Sequence, residues 1–326
     1  MEKRNQSTNT EFLILSLTDN PMLQFPLFIV FLLIYLTTLF GNTSIITLVC
    51  IDCHLHTPMY AFLCNLSIID VCYTSVTLPK LMQIHFTQNN AISFNGCMTQ
   101  QYFFCSIAIA EYHILAVMAF DRYVAICKPL HYTIIMTRKV CFLLSSISWT
   151  SGFLSSLPIS FLTSGLSFCR SNVINHLMCD VKPLMQLSCS DTRILEIVIF
   201  IVTMLYAFCP FVLICTSYIY IIMAILNIRS SEGRQRAFST CSSHLIVFSL
   251  FCVIMICTYA GPASVDSLEK DKVLALLYVA VIPMLNPIIY SLRNREVKFA
   301  LTRNRKHFVS NVQQKCGLCI SQNYMF

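Results

Sequence analysis

MAFDRYVAICKPLHY, residues 118–132, sets an Asp-Arg-Tyr triplet directly behind an apolar run and follows it with a Cys, a Lys-Pro and a His-Tyr. An ion pair there makes sense if the run is a helix leaving a membrane and the charges mark its polar boundary. The rest of the chain agrees: of 326 residues, 56% are hydrophobic and 11% charged, and mean hydropathy is positive, outside the range of soluble domains. Working outward from the triplet, uncharged or nearly uncharged runs of about 20 residues, enough to cross roughly 30 Å of hydrocarbon as helix, fall at seven places: 25–49, 58–79, 97–120, 140–163, 197–226, 244–262 and 273–292. The alternation of a membrane β-barrel is absent. The expected fold is an all-α membrane protein, a seven-transmembrane helix bundle.

The second and third runs carry one acid each, Asp70 and Glu111, and the other runs carry no Asp, Glu, Lys or Arg. An ionisable group at that depth is costly unless paired, hydrated or protonated, so both are functional suspects. With Asn42 and Asn286 on neighbouring helices, the two carboxylates can hold a sodium ion, or share a proton because close acids resist ionising together. Polar glue between helices is the plainer alternative.

The chain divides into an outer tail (1–24), the bundle (25–292) and an inner segment (293–326), and none of the non-membrane lengths is large enough for a soluble catalytic domain. MEKRNQSTNTEFLILSL lacks the long apolar core of a signal peptide, so the first helix is expected to act as the insertion signal. Most of the 22 Lys and Arg residues lie in segments 122–139, 229–236 and 293–315. That bias puts those segments in the cytoplasm and the N-terminus outside. Asn5-Gln6-Ser7 is then a glycosylation acceptor in an outer polar tail. Segment 294–308, NREVKFALTRNRKHF, sets Val297, Phe299, Ala300, Leu301 and Phe308 among basic residues and predicts a short amphipathic C-terminal helix on an anionic membrane surface.

Most of the 18 cysteines sit within helices as small apolar residues. Cys97, Cys169, Cys179 and Cys189 fall on the oxidising side. Four cysteines permit three pairings, and a tie from the third helix to the loop at 164–196 would order that loop over the bundle. His176-Leu177-Met178-Cys179-Asp180 offers soft metal ligands. The pairs Cys50/Cys53 and Cys316/Cys319, on the inner side, are candidates for S-acylation.

The triplet Asp121-Arg122-Tyr123 resembles the signature of rhodopsin-like G-protein-coupled receptors. Matching anchors follow in order through the spans: Gly41-Asn42, Leu66-Ser67 with Asp70, Trp149, Pro210 and Tyr218, then Asn286-Pro287 with Tyr290. Longer strings are similar to the olfactory, or odorant, receptor branch: LHTPMY (55–60), MAFDRYVAICKPLHY (118–132), RAFSTCSSH (236–244), PMLNPIIYSLRN (283–294) and the loop string LSCSDT (187–192). The likeness covers essentially the whole chain and, more narrowly, points to the group called family 6, subfamily C.

The resemblance implies a receptor, not an enzyme, for a small volatile odorant, with a stimulatory olfactory-type heterotrimeric G protein and membrane lipid as partners and no nucleic acid. It places the receptor as a multi-pass protein of the plasma membrane that raises cAMP. It implies disulfides Cys97–Cys179 and Cys169–Cys189, which leaves no thiolate for a metal at Cys179. Arg122 is held by Asp121 at rest and turns to the G protein on activation, with headgroup anchoring as the simpler role. Tyr218 and Tyr290 offer hydroxyls that reach one another or Arg122 as the helices rearrange, and Pro210 and Pro287 supply helix breaks. The stretch 236–244 is expected to face the G protein.

For the ligand, helical spacing and family precedent select Phe104, Cys105, Ala108 and Ile109 from the third helix and Val202, Thr203 and Tyr206 from the fifth. They add Cys252, Met255, Ile256 and Tyr259 from the sixth and Leu276 and Val279 from the seventh. That wall is apolar, with a few hydroxyls and no charge, and suits a neutral volatile molecule. Cys252 stands where many family members have a Tyr after Phe. No cofactor is implied beyond a structural sodium ion. A retinal protein would need a lysine midway along the last run, which has none; a transporter would show internal repeats; a membrane protease would need a catalytic constellation at depth. None is present in the sequence.

Overall fold

The structure, a computed structural model, describes residues 11–18, 20–169, 171–228, 230–259, 272–293, 297, 299–300 and 302–303. Side chains at 236–240, 243, 251, 254–259 and 291–293 are outside that description, as is the Asn5 glycosylation site. Helix α1 spans Pro21–Ile51, α2 Pro58–Thr87, α3 Phe94–Cys127 and α4 Arg138–Ser164. Helix α5 runs Arg193–Leu226 with a π turn at Met204–Phe208, α6 is Ser231–Tyr259, and α7 is 272–293 with a π turn at Leu277–Val281. Six of these, α6 apart, meet the length and hydropathy of a membrane span among the described residues.

Most of the helices overrun the apolar runs that announce them. A 31-residue α1 is about 47 Å long at 1.5 Å per residue, whereas hydropathy marks only the hydrocarbon-spanning part. The ends are set by caps. Asn20 accepts from Met22 N–H ahead of Pro21, Ser93 accepts from Gly96 N–H at the start of α3, and Thr137 accepts from Val140 N–H at the start of α4. Gln88, at φ 56°, ends α2 in the left-handed region.

Helix α3 runs through the middle, packed on α2, α4, α5 and α6, while α1 lies against α2 and α7. Two close approaches fix this arrangement. A Cβ on Gly152 would sit 2.3 Å from the Ser106 carbonyl oxygen, so the α4 backbone lies directly against the α3 backbone; a Cβ on Gly41 would sit 2.8 Å from Pro287 Cγ, where α1 meets α7.

At the disulfide end, three strands close the bundle, and the first of them comes from the segment 1–24 read from the sequence as an outer tail. β1 (Glu11–Ile14) lies between β2 (Ala91–Ser93), antiparallel, and β3 (Val173–Ile174), parallel. Its period-2 pattern buries Phe12 and Ile14 and leaves Glu11 and Leu13 exposed. Phe12 packs edge-on to Phe168 at 5.0 Å and near Phe94 at 6.1 Å. Burying such a side chain contributes about 1.5–3 kcal/mol, which ties the tail to the loop. Of the C-terminal amphipathic helix only fragments are described: Val297 and Ala300 are buried and Phe299 is exposed.

Candidate functional site

Asp121 is fully buried towards the C-terminal end of α3. Arg122 Nε donates to its Oδ2 at 2.9 Å and Arg122 Nη2 reaches the same oxygen. The second carboxylate oxygen accepts from the Tyr132 hydroxyl at 2.8 Å. The carboxylate is thus held from its own helix and from the turn after it. Tyr123, half-buried, instead faces Tyr220 of α5 at 5.9 Å and Lys128.

One helix over, the Tyr218 hydroxyl bonds His244 Nδ1, the rings stacked at 5.6 Å. Tyr218 therefore pairs with α6, and Tyr290 is fully buried, its hydroxyl without a hydrogen-bond partner among the described residues. His244 is completely buried and Cys241 and Ser242 nearly so, so this part of the 236–244 stretch turns into the core. The rest of that stretch lies largely outside the described side chains. Sequence reading missed the role of His244 because a histidine ending a polar string gives no sign of its rotation about the helix.

Midway through the bundle, Asn286 Nδ2 donates to both oxygens of Asp70, at 3.0 and 3.1 Å. Glu111 is buried and close enough to Asp70 to act on it electrostatically. Asn42 does something the sequence only half announced. Pro287 has no N–H to give the carbonyl four residues back, and Asn42 Nδ2 donates to that orphan, Pro283 O, at 3.1 Å. Gly41 beside it lets the Pro287 ring approach. Among the described residues, Asn42 Oδ1, Asn286 Oδ1 and the Tyr290 hydroxyl are buried without hydrogen-bond partners. With two carboxylates near, that oxygen-rich set fits a hard cation.

Nearer the disulfide end, Phe104 is buried against Tyr73 at 5.0 Å and Tyr278 at 5.8 Å. Ala108, Leu276, Val279 and Cys252 belong to the same core, and Ile109 is half-buried. Cys105 and Val202 pack in a smaller cluster with Ile159, Val181 and Leu195. Tyr206 is half-buried with its ring 5.7 Å from His113. Thr203, expected in the wall, is exposed. The π turn that begins one residue later accommodates Pro210 and breaks the 3.6-residue phase from which Thr203 was selected. The side chains of Met255, Ile256 and Tyr259 lie outside the described residues.

Both expected disulfides are present, Cys97–Cys179 with Cα atoms 5.4 Å apart and Cys169–Cys189 at 5.9 Å. They tie the loop to α3 and to itself.

The family profile described as "Olfactory receptor" matches residues 31–306. The chain belongs to the olfactory receptor family. The receptor is 49% identical to olfactory receptor 5B21 of Mus musculus over 92% of this chain and 94% of that one. It is 49% identical to olfactory receptor 5B12 of Homo sapiens over 92% and 95%, and 46% identical to olfactory receptor 5AR1 of Mus musculus over 93% and 98%. These names belong to groups other than subfamily 6C, so the narrower likeness rests on the sequence strings alone. The crystal structure of squid rhodopsin superposes with a TM-score of 0.65 at 17% identity, covering 89% of this chain and 87% of that one. The receptor is thus a multi-pass, rhodopsin-like membrane protein, an odorant receptor and not an enzyme.

At the end away from the disulfides the receptor holds one contact the sequence did not point to. Arg303, in the segment after α7, donates from Nε to Asp52 Oδ2 at 3.1 Å and also through Nη2. The Arg303 hydrogen bond, opposed by burial and aided by the His54 N–H, draws the Asp52 carboxyl from its ordinary 3.8 down to about 2. A depressed carboxylate stabilises the folded state above its unfolded value, and the contribution disappears as pH falls from about 4 through about 2. Because Arg303 is partly exposed, the pair is a weak one. Arg303→Gln is expected to lower the melting temperature of purified receptor by about 2 °C at pH 7 and to flatten its acid-side decline. An identical decline in parent and variant would leave the pair without energetic weight.

Proposed function

We propose that the receptor admits a small, volatile, mostly apolar odorant between the outer halves of α3, α5, α6 and α7, and that occupation frees Arg122 to engage a stimulatory olfactory-type heterotrimeric G protein, raising cAMP. The observation that carries this reading is the closed lock at the inner end, Arg122 on Asp121 with Tyr132 on the other oxygen. A nearly buried guanidinium held by one carboxylate is an element with two arrangements, and a shift of α5 and α6 coupled through Tyr218 and His244 can bias it. The Asp70, Asn286, Asn42 and Glu111 cluster is read as the resting-state sodium site, or as a proton-sharing pair of acids, with structural glue as the remaining role.

The distribution of the cysteines supports one membrane orientation. Both disulfides lie at one end, whereas Cys50 and Cys53 are unpaired at the other. Disulfides form on the oxidising side, which supports an outer N-terminus, glycosylation at Asn5 and residence in the plasma membrane. In cells that deliver the receptor to the surface, an odorant panel is expected to raise a cAMP reporter in the parent. Arg122→Ala is expected to lose at least about 90% of that response while surface receptor stays detectable. A full response in Arg122→Ala would refute the role given to the lock.

A further inference from the structure

Segment 11–18 joins the sheet to α1, and one polar relay pins it to the bundle. Gln24, in the first turn of α1, donates from Nε2 to Ser16 Oγ at 3.1 Å and to Thr18 O at 2.5 Å, while its Oε1 meets His85 Nδ1 of α2 at 2.5 Å. His85 stands past the apolar run 58–79, where α2 overruns towards the disulfide end. Its neighbour Ile84 packs with Phe12 and Ile14, the inward residues of β1, so the ring and the strand rest on the same turn of α2.

The direction of the relay fixes the state of the ring. A carbonyl oxygen only accepts, so Thr18 O turns the Gln24 amide nitrogen towards the tail and leaves its oxygen for the ring; Nδ1 then carries the imidazole proton. A neutral ring has a lone pair on Nε2, and that atom is buried with no hydrogen-bond partner among the described residues. His85 is 2% exposed and its ring lies 5.4 Å from that of Phe31. From α1 and the tail the groups around it, Gln24, Phe31 and Ser16, are all neutral. On its own helix Lys80 is committed to Gln83 Oε1 at 3.1 Å and Ala91 O at 2.6 Å. Elsewhere at this end Glu11 of β1 is exposed, Lys272 at the start of α7 is half-buried and His176 is buried beside β3. Among the described residues none of these pairs with His85, and no charged side chain acts on it electrostatically. A second proton on the ring therefore places an unpaired charge in an apolar site, which is costly. Water relieves that cost only if the ring swings out and lets go of Gln24.

We propose that His85 is an acid-sensitive latch for the N-terminal segment: the neutral ring holds Ser16 and Thr18 through Gln24 and keeps β1 in the sheet, and a proton taken up on Nε2 releases them. The latch goes beyond the odorant-binding reading and does not rest on it. Its sign follows from where protons bind. The open form has an ordinary histidine, half-protonated near pH 6.5, and the closed form excludes the second proton, so the closed form is favoured at neutral pH and loses ground as pH falls. Between about pH 7.5 and about pH 5.5 the closed-to-open ratio drops roughly tenfold.

The test is hydrogen–deuterium exchange on the purified full-length receptor in lipid nanodiscs, which open both faces to one buffer, so the result does not depend on which end lies outside the cell. The readout is the protection of the Leu13, Ile14 and Leu15 amides, which donate to Asn172 O, Asn90 O and Ile174 O at 2.8, 2.9 and 3.0 Å, corrected for intrinsic exchange at each pH. The parent is expected to lose roughly tenfold in protection between about pH 7.5 and about pH 5.5, with the α4 amides unchanged. His85→Asn keeps a neutral donor for Gln24 and cannot titrate, and its protection is expected to change by less than about twofold. His85→Phe keeps a ring against Phe31 without the donor and is expected to be poorly protected at both pH values. Equal parental protection at the two pH values overturns the latch whatever the variants do. So does a fall in His85→Asn as large as the parent's, an equal loss across α4, or parental protection in His85→Phe at neutral pH.

Discussion

Gly152→Ala is expected to leave less than about a tenth of the parental receptor at the cell surface. The added carbon would lie 2.3 Å from the Ser106 carbonyl oxygen, 3.1 Å from Ala110 N and 3.2 Å from Ala110 Cβ. Two of those atoms are backbone, so no rotamer change relieves the contact and α4 must back away from α3. Overpacking a core costs about 1–3 kcal/mol where side chains can yield, and here they cannot. Between membrane helices close packing is itself the main source of association, and a loss of 1–2 kcal/mol is enough to change cellular abundance several-fold. Gly165→Ala is the matched control: its nearest neighbour would be at 3.6 Å, an ordinary contact, and its φ of −82° suits any residue. Flow cytometry on an N-terminally tagged receptor compares the two. Equal surface staining would mean that the α3–α4 approach is not what holds the bundle.

Asp121→Ala is expected to raise basal nucleotide exchange several-fold and to destabilise the resting receptor. Arg122 is 12% exposed at its side chain, so loss of the carboxylate strands a nearly buried cation, a change that costs about 3–5 kcal/mol in buried pairs. The cation then favours whichever helix arrangement offers it water or another acceptor. Tyr132→Phe removes one neutral hydrogen bond to the same carboxylate and is expected to act in the same direction by about 1 kcal/mol. Basal exchange in purified receptor, with melting temperature measured in parallel, gives the order parent, Tyr132→Phe, Asp121→Ala. A silent and thermally unchanged Asp121→Ala would show that the pair neither restrains nor stabilises.

The sequence by itself determined the number of spans, the site of the ion pair near the C-terminal end of α3 and the family. Each is written in consecutive residues: hydropathy is a local sum, and strings such as MAFDRYVAICKPLHY are read without knowing what they touch. The paired cysteines were also legible once the family likeness was seen. Tertiary structure alone decided the partners. Tyr218 meets His244, Asn42 serves a carbonyl orphaned by Pro287 from 241 residues away, and Phe12 is drawn from the tail into the cap. Thr203 turns out of the wall. Contacts across helices depend on the rotation and depth of each one. An isolated π turn or a two-glycine difference in how closely helices approach resets both, and neither leaves a periodic trace in the sequence.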